Sequence, residues 1–239
     1  MAAAPGGRYA LPSVADCHAC HDSAAVPVLG FSAVQLTAAC VGRRRRTRVG
    51  CRRSRRAAAE RAADAVIRTD LRRLVATRRL RGLPVRLLAT PPRIAAANDT
   101  ERAALGYCIA NCGHRHNRSG NQAPLALTLA QRAADPEASR AEVLASTLNA
   151  ASRWRMPGSA EPREPREPPD PLIAPGDAAR SLLVQRMATR EPRLQMPPIG
   201  TNVPDPDGLA LLRRWITQEA LPAVSPPPAT HRPRRKDRP

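Results

Sequence analysis

Apolar residues recur at helical spacing in two stretches of the chain. Residues 57–81 place four apolar side chains on one helical face, and Gly82 is a suitable stop. Near the C-terminus, Asp207 can cap a final helix whose apolar side chains also share a face. The two faces consist of Ile67, Leu71, Leu74 and Val75, and of Leu209, Leu212 and Ile216 flanked by Leu211 and Trp215. Both patterns predict amphipathic helices.

Start and stop signals predict three further helices. A cap-like cluster at Asn98–Thr100 precedes a helix that leads through Cys112. Residues 135 and 136, an Asp-Pro pair, begin another helix that we expect to extend to about Ala151. Ser181–Ala188 is predicted as a short helix, followed by the fixed loop "QMPPIG". The sequence therefore predicts a mainly α fold.

Three stretches are not expected to form regular structure. Residues 38–64 form an Arg-rich irregular segment, and residues 157–171, "PGSAEPREPREPPDP", form a Pro-rich excursion or linker. Residues 221–239 are Pro-rich and basic, which predicts a disordered tail. These breaks separate a first segment at 8–37 from a helical domain at 65–220.

The composition leaves the predicted core short of bulky side chains. Only five residues are aromatic, whereas 26 are proline. Burial of apolar surface contributes about 25 cal/mol per Å² to stability. A chain of this composition therefore either is disordered over much of its length or fills its interior with something other than side chains. A large flat cofactor could fill such an interior.

The positive charge is concentrated in two runs. Of the formal net charge of +19, Arg43–Arg56 contributes nine positive charges and no negative ones, and the tail at His231–Pro239 is the second run. Such runs can bind nucleic acid by releasing counterions, but neither contains an aromatic residue to stack on bases. We interpret them as solvated and disordered. Only Lys236 among 39 basic residues is lysine, which suggests GC-rich coding DNA and the hypothesis of a reading-frame slip at 38–64.

Targeting signals are missing from the sequence pattern. The N-terminus lacks a charged region followed by an apolar one, as a secretion signal would have. No stretch is apolar enough to span a bilayer. As written, the chain is expected to stay in the cytoplasm.

The stretch "CHACH" is the clearest chemical signal. Cys17 and Cys20 are three residues apart, so one helical turn places both thiols where each can bond a vinyl group of one porphyrin. His21 then directs its imidazole toward the iron. The pattern is typical of covalent haem attachment. On these five residues alone, a zinc site or a chance Cys/His pair is equally open.

Two later segments add to this signal. "ERAALGYCIANCGHRHN" at 101–117 contains a broken Cys-x-x-Cys-His pattern, and residues 172–216 contain Met-Pro-Pro, an acidic turn and a helix ending in Trp-Ile. In this order the three segments resemble a family of bacterial multidomain c-type cytochromes, whose middle segment has the form NCxHCHN. The resemblance implies cytochrome-c-like helical segments around haem, electron transfer with redox partner proteins, and a periplasmic or cell-envelope location. It also implies that this chain corresponds to the C-terminal part of a longer family member.

The resemblance assigns a first haem to the N-terminal motif. Cys17 and Cys20 would carry it through thioether bonds, and His21 would be its proximal ligand. Met187 and Met156 are candidates for its sixth ligand.

The resemblance implies a second haem at the broken motif. Cys112 would hold this haem, His116 would ligate its iron, and Met196 would supply the sixth ligand. Arg115 stands where the family has the other attachment cysteine, so this is a degraded site that keeps one thioether. If residues 108–116 are helical, Cys112 and His116 share a face. Cys108 has the wrong spacing to replace the missing thiol.

Two other functions stay open. A zinc-binding module could use the cysteines at 17, 20, 108 and 112 with one of the histidines at 21 and 116. A basic nucleic-acid-binding protein would be led by Arg43–Arg56. Neither accounts for the C-terminal segment. Paired carboxylates, an activated nucleophile and a phosphate-binding loop are not recognisable, so we expect an electron carrier rather than an enzyme.

Overall fold

The structure is a computed structural model that describes residues 11–23, 28–36, 71–119, 126–152 and 170–218. The Arg-rich segment, nearly all of the Pro-rich excursion and the basic tail lie outside the described residues. So do Cys40, Cys51, Met156 and the first part of the helix predicted at 57–81.

The described residues are organised by helices. These are α1 (Val14–His21), α2 (Leu71–Ala76), α3 (Arg86–Ala89), α4 (Asp99–Asn111), α5 (Pro136–Thr147), α6 (Leu182–Ala188) and α7 (Pro206–Gln218). Extended pairing within these ranges is limited to isolated bridges, one of which joins Leu148 and Ile173 in parallel. The prediction of a mainly α fold is confirmed. No helix in the described part of the chain has the length and apolar character needed to cross a membrane.

Side-chain caps set the starts of α4 and α5 where the sequence predicts them. The Asn98 side chain accepts a hydrogen bond from the backbone N–H of Glu101 at 2.9 Å, and the Asp135 side chain accepts one from Ala138 N–H at 3.0 Å. Helix α5 ends at Thr147, earlier than the predicted Ala151. Leu148 N–H still bonds the carbonyl of Leu144, but Asn149 N–H leaves the helical pattern and donates to the carbonyl of Ile173 at 2.9 Å.

Two other helix boundaries differ from the predictions. The cap of α7 is Asp205 rather than Asp207, because the Asp205 carboxylate accepts from the backbone N–H groups of Asp207 and Gly208 at 3.1 and 3.0 Å. Pro206, which has no N–H to satisfy, suits the first helical position. Helix α2 ends at Ala76, ahead of the predicted stop at Gly82. The backbone already turns there, since Arg78 has a φ of 57°.

The core forms where α7 packs against α4 and α6. The apolar face predicted for the last helix is confirmed: Leu212, Trp215 and Ile216 are at most 1% exposed. At Gly208 a Cβ atom would lie 2.4 Å from Cζ of Tyr107, so a side chain at that position would have to displace the tyrosine ring that packs between α4 and α7. This packing fixes the end of α4, from which the second cysteine–histidine motif continues.

Candidate functional site

The second motif lies in a turn that continues directly from α4. The helix ends at Asn111, so residues 108–116 are not one continuous helix. Cys112 N–H and Gly113 N–H both bond the carbonyl of Cys108, at 2.8 and 3.0 Å. His116 N–H nevertheless donates to the carbonyl of Cys112 at 2.9 Å. The turn therefore keeps Cys112 and His116 close although the helical geometry is lost.

Gly113 allows a close backbone contact in this turn. A Cβ atom at Gly113 would lie 3.0 Å from the carbonyl oxygens of both Ile109 and Leu129. The carbonyl of His116 in turn accepts from Leu129 N–H at 2.8 Å. The segment after the motif thus packs on the turn and fixes its backbone.

The Met196 loop is held against α6. Met196 N–H donates to the carbonyl of Arg186 at 2.9 Å, and Nε of Arg186 donates to the carbonyl of Leu194 at 2.8 Å. The side-chain amide of Gln195 donates to the carbonyl of Pro198 at 3.1 Å. The loop "QMPPIG" is therefore fixed, as the two prolines predict.

Cys112, His116 and Met196 line one cavity of about 470 Å³. Such a volume lies within the range of small-molecule and cofactor sites, roughly 300–1,000 Å³. The wall is largely apolar and includes Leu127, Leu129, Leu172, Leu183, Met187 and Ile199. Three residues that the sequence analysis assigned to one site are thus brought together by the fold.

The N-terminal motif contributes one residue to the same cavity. The motif forms α1, whose start is a capping box between Ser13 and Asp16. Cys20 is partly buried in the cavity wall. Cys17 and His21 are exposed and are not part of that wall. Of the three residues assigned to the first haem, Cys20 is therefore the one that lines this cavity.

Burial and neighbouring charge keep His116 neutral. Burial, together with the guanidinium groups of Arg115 and Arg186, lowers the pKa of His116 to about 4. Its buried Nδ1 atom has no hydrogen-bond partner in the described part of the chain. A neutral imidazole of this kind keeps a lone pair for a metal, since metal-bound histidine is neutral. The neutral imidazole of His116 therefore fits the role of an iron ligand.

The thiols of Cys108 and Cys112 are protonated at neutral pH. Burial raises the pKa of Cys112 to about 12 and that of Cys108 well above its ordinary value. Cys108 is 2% exposed and belongs to the core beside α7, so it is a packing residue. Among the described residues, no three side chains of His, Cys, Asp or Glu form a group that could hold a metal ion. The tetrahedral site of the zinc hypothesis is therefore not assembled in that part of the chain.

Several contributors to the site were missed from the sequence. Arg186 and Tyr107 line the cavity, and Asn117 fixes the turn of the second motif through its side-chain amide. For Asn117 a signal existed, because it occupies the last position of the NCxHCHN pattern. For Arg186 and Tyr107 no motif points to the cavity.

Comparisons of the chain with protein-family models, with curated proteins and with solved structures find no match. The resemblance to c-type cytochromes therefore depends on the motifs and on the fit of the cavity to the group they imply.

Proposed function

We propose that this chain is a haem-binding electron-transfer protein of the c-type cytochrome kind, with haem in the cavity between α4, α6 and the Met196 loop. The observation that supports it is the shared cavity of Cys112, His116 and Met196, which are up to 84 residues apart in the sequence. They offer an attachment thiol, an imidazole and a thioether, the donor types of a cytochrome c site.

Each of these residues has a defined task in the proposal. Haem supplies the change between ferric and ferrous iron, and the chain sets its ligands and surroundings. His116 is neutral and ready to bind without first losing a proton. Met196, held by its loop, would favour the ferrous state and a raised potential as a ligand of the haem iron. The apolar wall limits water. The proposed role is thus an electron carrier that exchanges electrons with redox partner proteins, not an enzyme.

The proposal extends to the location of the protein. Thioether attachment normally takes place outside the cytoplasm, and the resembled family is exported, so we propose the periplasm or cell envelope. The first haem assigned to Cys17, Cys20 and His21 remains a prediction, since two of these residues lie outside the cavity wall.

The test is maturation of the chain after export. The full chain, preceded by a signal peptide, is co-expressed with a haem-attachment system and analysed by haem staining of denaturing gels and by its alkaline pyridine spectrum. We expect covalently bound haem. A colourless, iron-free protein, or one that contains zinc and no iron, would contradict the proposal.

Matched variants identify the ligands. Met196→Leu should abolish the long-wavelength absorption of methionine-ligated ferric haem, whereas Met187→Leu, a change in the same cavity wall, should leave it. Cys112→Ala should lose a thioether, whereas Cys108→Ala, in the adjacent turn of the core, should not. Loss of the methionine signal in the Met187 variant alone would assign the sixth ligand to Met187 instead.

A further inference from the structure

Cys20 and Cys112 line the same cavity although they belong to different motifs. Within α1 the two cysteines differ: Cys20 is partly buried at the cavity, and Cys17 is exposed to solvent. His21 is exposed as well. The N-terminal motif thus offers the cavity one thiol, and the second motif offers it another.

A buried hydrogen-bond network holds α1 at this position. The side-chain amide of Asn117 donates to the carbonyl of Ser23 at 2.8 Å and to the carbonyl of His114 at 2.9 Å. Ser23 is 1% exposed, and its hydroxyl donates to the carbonyl of Ala19 at 2.6 Å. Buried polar groups of this kind are costly to separate, by about 1–3 kcal/mol each. The end of α1, including Cys20, is therefore fastened to the turn that carries His116.

The second motif by itself lacks one attachment residue. A porphyrin has two vinyl groups, and Cys112 can bond only one of them. Arg115, which stands where the other thiol is expected, also lines the cavity but has no thiol to add to a vinyl group. The second vinyl group would remain free unless another segment supplies sulfur.

We infer that Cys20 supplies this sulfur, so that a single haem is bonded to Cys20 of the N-terminal motif and to Cys112 of the second motif. The inference depends on the proposed function, and it differs from the family arrangement, in which Cys17 and Cys20 share a haem of their own. The chain then carries one haem, and the covalent link joins α1 to the helical core.

The covalent step is balanced without a further reactant. The S–H bond of Cys20 and the π bond of the vinyl group break, a sulfur–carbon bond forms at the carbon next to the ring, and the hydrogen goes to the terminal carbon. No group leaves, and the addition is neutral in electrons. The same addition occurs at Cys112.

Peptide mass spectrometry of the matured full chain tests the inference directly. Trypsin releases Cys20 in the peptide of residues 9–43 and Cys112 in the peptide of residues 103–115. We expect one species whose mass is that of both peptides plus one haem. Separate haems on the two peptides, or haem on the second peptide alone, would overturn the inference and leave the proposed function intact. Haem on the first peptide alone would overturn the inference and also the proposed role of Cys112. A protein without haem would instead contradict the proposed function.

Single-cysteine variants provide a second readout. In the alkaline pyridine spectrum, Cys20→Ala should shift the band to the position of a haem with one thioether, and the two peptides should separate. Cys17→Ala should keep the two-thioether band and the linked peptides. The reverse pattern, with loss of a thioether in Cys17→Ala, would refute the inference. If neither variant matures, fragmentation of the linked peptide of the unaltered chain decides, because the fragment masses place the haem on Cys17 or on Cys20.

Discussion

Glu101 is the most deeply buried carboxylate in the described fold. Its side chain is 3% exposed and pairs with Arg140, which reaches it from α5 with an Nη2–Oε2 distance of 3.1 Å. The same carboxylate accepts from Ala97 N–H at 3.2 Å ahead of α4. Glu101 therefore accepts a backbone hydrogen bond at the start of α4 and joins this helix to α5.

Replacing Arg140 should lower the free energy of unfolding. Arg140→Met leaves the Glu101 carboxylate buried without its cation, and we expect a loss of about 3 kcal/mol, since breaking a buried pair costs roughly 3–5 kcal/mol. Denaturant unfolding measures the change. The matched control is Arg132→Met. This change removes a more exposed ion pair, in which Arg132, ahead of α5, lies 2.9 Å from Glu142 of α5. Arg132→Met should lower the free energy of unfolding by less than about 1 kcal/mol. Equal losses in the two variants would contradict the role of burial in the Glu101–Arg140 pair.

At the scale of elements, the start of α7 depends on Asp205. Backbone hydrogen bonds from Gly208 and Asp207, and a side-chain bond from Tyr107, hold the pKa of Asp205 below its ordinary value. A carboxyl group with a lowered folded-state pKa stabilises the fold above its unfolded pKa of 3.8, and the contribution is lost as the pH falls through the folded value.

Asp205→Ala should therefore destabilise the chain by about 1 kcal/mol at neutral pH through loss of the cap. The difference from the unaltered chain should shrink as the pH falls below 3.8 and through the folded pKa of Asp205, because protonation removes the charge of the cap but leaves an oxygen that can still accept. Asp205→Asn is the control, because it keeps a capping oxygen but does not titrate. Urea unfolding at several pH values measures both. An alanine effect that persists unchanged in acid would contradict the assignment.

Helix α7 also depends on the absence of a side chain at Gly208. Gly208→Ala would place Cβ against the Tyr107 ring, and we expect a loss of about 1–3 kcal/mol from overpacking. In a Tyr107→Ala background the clash is gone. There the same change should stabilise α7 by up to about 1 kcal/mol, because alanine favours helix over glycine. A double-mutant cycle by thermal unfolding compares the two, and equal effects in both backgrounds would exclude the contact.

For the whole molecule, the cavity of about 470 Å³ is formed by residues of several helices and loops. A ligand that binds there binds the folded chain, so binding should raise the stability of the fold. Adding free haem to the unmatured chain should raise its Tm, by the equivalent of about 2.7 kcal/mol when free haem is a hundred times its Kd. Calorimetry with and without haem measures the shift. His116→Ala should reduce it, since the imidazole is lost, while Arg132→Met should not. No shift in the unaltered chain would contradict a haem-sized site.

The sequence by itself determined the helices whose signals are local. The caps Asn98 and Asp135 and the apolar face of the last helix were predicted because a cap needs only its next three residues and a face only its 3.6-residue period. The roles of Cys112, His116 and Met196 were implied by the resemblance of their segments to c-type cytochromes, and they stay a prediction. The boundaries at Asn111, Thr147 and Asp205 were not predicted.

Tertiary structure decided what local patterns do not contain. After α4 ends at Asn111, the following turn packs closely on Leu129, and after α5 ends at Thr147, Asn149 pairs with Ile173. Likewise, the hydrogen bond from Asn117 to Ser23 spans 94 residues, and it fastens the end of α1 beside the cavity that Cys20 lines. Such contacts depend on how distant segments pack, and no periodicity or spacing within either segment records the position of the other.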